Sequence, residues 1–204
     1  MQRYDDIMFT KRVKALQEAD GSAEMYARSY GARARPLNRD DIDFVTSRTS
    51  FYLGTVSETG WPYIQHRGGP QGFLTVLDDH TLAFADYRGN KQHVSEGNVD
   101  ANNRVSLFLM DYPRRARMKL QGRARFMSAA DDPALAEQLS VDGQGRVERL
   151  VVITLEAFDW NCPQFITPRF DAAEIGQLVG PEMDALNARI AELEAENAAL
   201  KGQG

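Results

Sequence analysis

A polar turn that follows an apolar strand is the segment of this 204-residue chain best suited to binding chemistry. The apolar run Thr81–Ala85 leads into a turn that carries Arg88, Asn90 and Lys91. The pattern predicts a helix over Gln92–Asn98 directly after the turn. A helix N-terminus presents unpaired backbone N–H groups, and cations beside it favour anions further. The segment therefore predicts an anion site, although an ordinary solvated turn has the same residue types.

Short runs of β-branched, aromatic and alternating apolar residues lie on both sides of this turn. They predict antiparallel strands, because alternation with a period of two is typical of half-buried strands. The runs cover residues 50–57, 61–67, 73–77, 81–85, 104–110, 118–126 and 151–158. Few helices separate them, so we expect a mainly β protein of the α+β class, with six or so strands in a closed barrel.

The order of these segments resembles the FMN-binding split barrel of the pyridoxamine 5'-phosphate oxidase superfamily. The resemblance covers roughly residues 40 to 170 and depends on the order and spacing of short motifs. These motifs are Gly54-Thr55-Val56, Trp61-Pro62-Tyr63, Phe84 to Lys91, Gly122-Arg123-Ala124, Asp159 to Gln164 and Pro168-Arg169. The resemblance implies a six-stranded antiparallel split β-barrel, FMN as the cofactor and a homodimer.

The resemblance also implies which residues would bind FMN. A residue on the second strand, His66 or Arg67, and a lysine after a later strand, Lys91, would hold the phosphate. Arg117 would reach the flavin of the dimer-related subunit. Trp160 and Arg169 correspond in spacing to a tryptophan and an arginine that family members use near the C-terminus. The implied cofactor-binding residues are His66, Arg67, Gly68, Phe84, Ala85, Arg88, Asn90, Lys91, Gln92, Arg117, Trp160 and Arg169.

Several of these residues also have a purely structural interpretation. His66 is equally consistent with a histidine at the rim or core of the barrel, and Trp160 with a packing residue that caps it. Asp86 is interpreted as a turn or strand-end residue rather than a base. The residue types identify no catalytic acid or base, and no metal site is expected because His66, His80 and His93 lack metal-ligand spacing.

The activity implied by the resemblance is that of a flavin-dependent oxidoreductase. It would pass electrons between a reduced donor, such as a ferredoxin- or flavin-reductase partner, and oxygen or a small organic molecule. The chain reads Pro168-Arg169-Phe170-Asp171 where the family's substrate signature has an Arg-x-His element, so pyridoxamine 5'-phosphate oxidase activity itself is not expected. The alternatives are a non-catalytic protein that binds flavin, haem or the deazaflavin F420, and a cofactor-free interaction module.

Composition narrows the class of protein further. A net charge of −5 argues against a nucleic-acid partner. No stretch approaches the ~20 apolar residues of a membrane span, and the N-terminus lacks a secretory apolar core, so a cytoplasmic protein is expected. Cys162 is the only cysteine, which excludes an intrachain disulfide. Its position beside Trp160 admits a redox-active thiol or an inert side chain.

The chain is predicted to have three parts: a helical arm over residues 1–38, the barrel over 39–172 and a C-terminal helix over 173–204. A short helix is expected from Pro133 to Leu139, after an acidic cap. Pro181 is interpreted as the start of the C-terminal helix. The heptad seam of this helix predicts a parallel two-stranded coil, or a stripe that packs on the barrel, and it consists of Met183, Leu186, Ile190, Leu193, Asn197 and Leu200.

Overall fold

The structure is a computed structural model, and it describes residues 1–30, 34–160 and 163–202. Cys162 therefore lies outside the described residues. The helices within these ranges are α1 Tyr4–Met8, α2 Lys11–Asp20, α3 Ala23–Tyr30, α4 Arg39–Thr46, α5 Val94–Ala101, α6 Pro133–Gln138 and α7 Ala172–Lys201. The strands are β1 Ser50–Val56, β2 Pro62–Gly68, β3 Thr75–Asp78, β4 Thr81–Tyr87, β5 Arg104–Asp111, β6 Ala116–Ser128 and β7 Val147–Trp160.

All seven strands belong to one antiparallel sheet with the order β2-β1-β5-β6-β7-β4-β3. Each predicted run overlaps a strand, and the sheet has seven strands where six or so were expected. The expected closure was also wrong, since the edge strands β2 and β3 pair with no further strand in the described ranges. The α+β class is confirmed, and the open sheet is consistent with a split barrel.

Alternation along the strands places the core on one face of the sheet. Phe51 and Leu53 of β1 and Leu107 and Leu109 of β5 are almost completely buried, whereas their neighbours in sequence are more exposed. Arg67 pairs with Phe51 in the β1–β2 ladder. Because paired residues share a face, Arg67 lies on the core-facing side of the edge strand β2.

The hairpin of β6 and β7 is the longest in the sheet, and it contains a register shift between Gln121 and Gly122. A Cβ atom at Gly122 would lie 2.6 Å from the carbonyl oxygen of Thr154, so the strands approach closely there. On the other face of the sheet, Leu139 at the end of α6 packs with buried Leu150 of β7. The predicted helix from Pro133 is confirmed with its cap, since Asp132 accepts a hydrogen bond from the Leu135 N–H at 3.0 Å.

The first 30 residues contain three short helices, α1, α2 and α3. The backbone N–H of Gln2 donates to the carbonyl of Glu156 on β7 at 2.7 Å. Tyr4 is buried, and the ammonium of Lys119 lies 4.6 Å from its ring centroid. These contacts attach the start of the arm to β6 and β7.

The chain forms two compact units, one of Met1–Asp111 with Ala116–Gln164 and one of Tyr112–Arg115 with Phe165–Gly204. The boundaries expected at residues 38 and 172 stay a prediction. In the second unit, α7 begins at Ala172, where Asp171 and Glu174 form a capping box. The expected start at Pro181 was wrong, because this proline lies inside the helix. None of the helices in the described ranges has the length and apolar character needed to cross a membrane.

Candidate functional site: a cavity between β2 and β4

The first unit contains a cavity of about 250 Å³ beside the ends of β2 and β4. β2 and β4 are not neighbours in the sheet, so the cavity lies where side chains rather than a strand ladder join them. Apolar and polar side chains meet in its lining, as is typical of small-molecule sites. The lining residues are His66, Arg67, Gly68, Gly69, Pro70, Phe73, Phe84, Ala85, Asp86, Tyr87, Arg88, Gly89, Leu139, Val141 and Gln144.

Arg67 and Asp86 form the direct link between the two strands. The Arg67 Nη1 atom lies 2.7 Å from the Asp86 Oδ1 atom, and both side chains are largely buried. The guanidinium carbon also lies 5.5 Å from the centroid of the buried Phe84 ring. The Nε atom of Arg67 is buried and has no hydrogen-bond partner in the described part of the chain. An unpaired buried N–H costs free energy, so this atom is an unusual feature of a residue that lines the cavity.

Asp86 also binds Arg149 of β7, at 2.7 Å from Nη2 and 2.9 Å from Nε to Oδ2. Burial lowers the pKa of Arg149, but its hydrogen bond to Asp86 and the charges of Asp86 and Glu96 outweigh this and raise the pKa above its ordinary value. Nη1 of Arg149 continues the network to Glu96, at 3.0 Å, and to His93. One carboxylate therefore holds two permanently charged guanidinium groups, and of these Arg67 lines the cavity while Arg149 lies behind Asp86 on β7.

The turn between β4 and α5 carries the exposed cations of the predicted anion site. Arg88 and Lys91 are exposed, and the amide oxygen of Asn90 accepts a hydrogen bond from the Gln92 N–H at 3.2 Å. Lys91 and His93 have φ angles of 58° and 54°. Residues other than glycine rarely adopt this left-handed conformation, and it concentrates at ligand sites and switch regions. The helix begins at Val94, two residues later than predicted, so Gln92 belongs to the turn.

Two hydrogen bonds attach α5 to the strands and thereby position this turn. Ser95 donates to Gln65 of β2 at 2.6 Å, and Asn98 donates to Thr55 of β1 at 2.9 Å. Ser95, Asn98 and Thr55 are all buried. A turn between β4 and a helix held this firmly presents its backbone at a defined place next to the cavity.

The structure brings together part of the set of cofactor residues that the sequence predicted. His66, Arg67, Gly68, Phe84, Ala85 and Arg88 line the cavity, and Asn90, Lys91 and Gln92 follow Arg88 in the adjoining turn. Whether they bind a cofactor stays a prediction.

Two predicted residues, Arg117 and Trp160, are not among those that line this cavity, and a third, Arg169, belongs to the second unit. Trp160 pairs with Met118 at one end of the β6–β7 ladder, and Arg117 precedes Met118, whereas Arg149 lies at the other end. Arg169 belongs to the second unit, where its guanidinium carbon lies 5.0 Å from the centroid of the Tyr112 ring.

Trp160 has a structural environment of its own. Its Nε1 donates to Oδ1 of the buried Asp41 at 2.9 Å, and its ring meets Phe44 edge-on at 4.5 Å between centroids. Asp41 also accepts hydrogen bonds from Arg35 and from the Asn38 N–H. Trp160 therefore joins the end of β7 to the start of α4, which is the packing role considered for it.

The sequence interpretation missed Asp86 and Arg149 as members of the site. Asp86 lies near the end of β4, as expected, but it is a buried ion-pair residue rather than a residue of a solvated turn. The sequence did contain a signal for these two residues. Asp86 directly follows the apolar run Leu82–Ala85, and Arg149 directly precedes the apolar run Leu150–Ile153. A charge next to a buried strand segment requires a partner.

A family model for pyridoxamine 5'-phosphate oxidase matches residues 39–157, which include the whole cavity. The chain belongs to this family. No curated protein matches it in sequence. The structure of HupZ from Group A Streptococcus has a TM-score of 0.51 and 15% identity, covering 66% of this chain and 99% of that chain.

Two further solved structures are similar. A single-residue variant of HupZ has a TM-score of 0.50 and 16% identity, covering 61% of this chain and 98% of that chain. A protein from Clostridium acetobutylicum related to general stress protein 26 has a TM-score of 0.46 and 18% identity, covering 60% and 85%. At these identities the two HupZ structures show the fold alone.

Proposed function

We propose that this chain binds FMN in the cavity between β2 and β4 and acts as an FMN-dependent oxidoreductase. It would pass electrons between a reduced donor and oxygen or a small organic acceptor. The observation that carries the proposal is Arg67, a largely buried cation that lines the cavity beside Phe84 and whose Nε–H has no hydrogen-bond partner in the described part of the chain. Membership of the pyridoxamine 5'-phosphate oxidase family supports a flavin as the ligand.

The residues around the cavity fit the two halves of FMN. A dianionic phosphate needs several charge-assisted donors, and Arg67, Arg88 and Lys91 supply cations on two sides of the turn. A flavin ring needs a flat apolar slot, to which Phe73 and Phe84 contribute aromatic surface. When bound, FMN would supply the hydride and electron transfer, while the protein binds and orients it.

A second copy of the chain would complete the site. The cavity of about 250 Å³ is smaller than the ~300–1,000 Å³ typical of sites for drug-sized ligands. Trp61, just before the edge strand β2, and Ile64, within it, are 75% and 70% exposed, as is common at surfaces that bind a partner. In such a homodimer, Arg117 and Trp160 would serve the cavity of the other copy, because they lie far along the sheet from their own.

The proposed substrate differs from pyridoxamine 5'-phosphate. Arg169 is followed by Phe170 and Asp171, so the histidine of the family's substrate element is absent at this point. We propose a small organic electron acceptor or oxygen, and a ferredoxin- or flavin-reductase partner as the donor. Rapid oxidation of pyridoxamine 5'-phosphate by the purified protein would contradict this part of the proposal.

The test compares FMN affinity between Arg67→Ala and Arg104→Ala, a control that removes an exposed arginine from β5. A hydrogen bond to a charged group contributes about 1.5–3 kcal/mol, so we expect Arg67→Ala to bind FMN ~10–100-fold more weakly. Flavin fluorescence would report binding, and circular dichroism would confirm that both variants fold. Equal affinities in the two variants would contradict the proposed site.

A non-catalytic binding protein is the second candidate, with flavin, haem or F420 as its ligand. His66 favours haem among these, because it is an exposed histidine at the rim of the same cavity and meets Tyr52 edge-on at 5.7 Å. A Soret band that is lost in His66→Ala would establish the haem alternative. A flavin spectrum that a reduced donor bleaches and oxygen restores would exclude it.

A further inference from the structure

The C-terminal helix α7 exposes a continuous set of apolar side chains. None of its residues, Ala172–Lys201, is buried. A helix that stayed solvated on every side would not be expected to carry so many large apolar residues, because each gains free energy when it leaves water. The exposed fractions range from 42% to 70% for Ile175, Leu178, Val179, Met183, Leu186, Ile190, Leu193 and Leu200.

From Met183 onward these residues follow a heptad repeat. In the standard abcdefg notation, the a positions are Met183, Ile190 and Asn197, and the d positions are Leu186, Leu193 and Leu200. Pro181 lies just before the repeat and has no N–H to donate to the carbonyl one turn earlier. The repeat therefore begins where the helix has its weakest point, and it spans about three heptads.

The charges beside this seam match a second copy of the same helix. Arg189 and Glu196 occupy g positions, and Glu194 and Lys201 occupy e positions. In a parallel pair without stagger, each g residue faces the e residue of the next heptad on the partner helix. Arg189 then faces Glu194, and Glu196 faces Lys201, in both directions.

Asn197 distinguishes the parallel arrangement from the antiparallel one. In a parallel pair without stagger, the two copies of Asn197 meet and can hydrogen-bond across the seam. In an end-to-end antiparallel pair, Asn197 would face Leu186 and leave its amide unsatisfied, which costs free energy. The antiparallel pair would also leave Lys201 without its matching Glu196.

We propose that α7 pairs with α7 of a second copy of this chain as a parallel, in-register two-stranded coil over Met183–Leu200. Three heptads are marginal alone. Joined to a second contact between the same two chains, the coil gains from a high effective concentration. The proposal is independent of the cofactor, because it depends only on residues of α7.

Disulfide cross-linking of the full chain tests the geometry. In a Cys162→Ser background, Leu200→Cys places a thiol at a d position and Ala195→Cys places one at the outward f position. The parallel coil brings the two copies of residue 200 together, whereas an antiparallel pair separates them by about 25 Å. We expect covalent dimer from Leu200→Cys under mild oxidation and at least ~5-fold less from Ala195→Cys. No cross-link, or equal cross-linking of both, would overturn the proposal.

A charge swap tests the partner specificity. Glu194→Arg in the Leu200→Cys chain should lower the cross-linked fraction several-fold, because it places Arg189 against arginine. Adding Arg189→Glu should restore the cross-link, since the pair is then attractive again with its signs exchanged. Asp184→Arg, at the outward b position, is the control and should change little. Failure of the double variant to recover would overturn the parallel pairing.

Discussion

Asp86 is the residue that organises the cavity, because it binds both Arg67 and Arg149. The two guanidinium groups come from strands that are far apart in the sheet order, β2 and β7. No backbone ladder joins β2 to β4, and the ion pair of Arg67 with Asp86 connects them instead. The Asp86 carboxylate therefore both links the strands and neutralises the two guanidinium charges. Removing it would leave two positive charges close together in a largely buried place.

We predict that Asp86→Asn lowers the free energy of unfolding by about 2–4 kcal/mol, since breaking a buried ion pair leaves an uncompensated charge. Urea denaturation would measure the change. Asp79→Asn is the matched control, because Asp79 is exposed in the turn between β3 and β4, and it should change stability by less than ~0.5 kcal/mol. Similar losses of unfolding free energy in the two variants would show that the buried ion pairs of Asp86 do not stabilise the fold.

At the scale of elements, the start of α4 is joined to the end of β7 through the carboxylate of Asp41. Burial raises the pKa of this carboxyl, but hydrogen bonds from Arg35, the Asn38 N–H and Trp160 outweigh burial and hold the pKa below its ordinary value. The native protein therefore keeps this group ionised at a lower pH than the unfolded chain does. Its contribution to stability is present above the unfolded pKa of about 3.9 and is lost as the pH falls through the native value.

The lowered pKa of Asp41 predicts how the stability of the protein depends on pH. The difference in unfolding free energy between wild type and Asp41→Asn should be constant near neutral pH and should shrink below about pH 4. Urea titrations at several pH values, followed by Trp160 fluorescence in a Trp61→Phe background, would measure it. Asp40→Asn, which changes an exposed neighbour, should show no such shrinkage. A difference that persists unchanged to pH 3 would contradict the assignment.

The register shift in the β6–β7 hairpin gives a second prediction at this scale. In Gly122→Ala, the new Cβ would meet the Thr154 carbonyl oxygen at 2.6 Å, so the backbone must shift. We expect a loss of about 1–3 kcal/mol in thermal or urea unfolding, as for overpacked cores. Gly97→Ala in α5, where no atom lies within 4 Å of the new Cβ, should instead stabilise by about 0.5–1 kcal/mol. Equal changes in stability for the two variants would show that the close approach of β6 and β7 is not the reason for a glycine at position 122.

At the scale of the whole molecule, local patterns predicted the strands, while distant pairings were not predictable. Alternation together with β-branched and aromatic residues identified seven runs, because strands bury one or both of their faces. Whether the sheet closes depends on how β2 and β3 meet other edges, and no local pattern encodes this. The partnership of Asp86 with Arg67 and Arg149 was missed for the same reason, since the three lie on different strands.

Local signals also misled at one helix end and one turn. Pro181 suits a first helical position. The capping box of Asp171 and Glu174 nevertheless begins α7 at Ala172, well before this proline. Gln92 was placed in α5 because its residue type favours helices, yet the left-handed backbone of Lys91 and His93 delays the helix to Val94. Backbone conformation that depends on tertiary contacts, such as that of His93 with Arg149, leaves no clear mark in a sequence.

The central claim, a flavin site between β2 and β4, is tested most directly by FMN binding to the purified full chain. The visible spectrum would be recorded before and after FMN is added and free FMN is removed by gel filtration, for wild type and Lys91→Ala. The account predicts about one retained FMN per chain in the wild type, with weaker retention in the variant because a phosphate cation is lost. No retained flavin in the wild type, with FMN in excess, would contradict it.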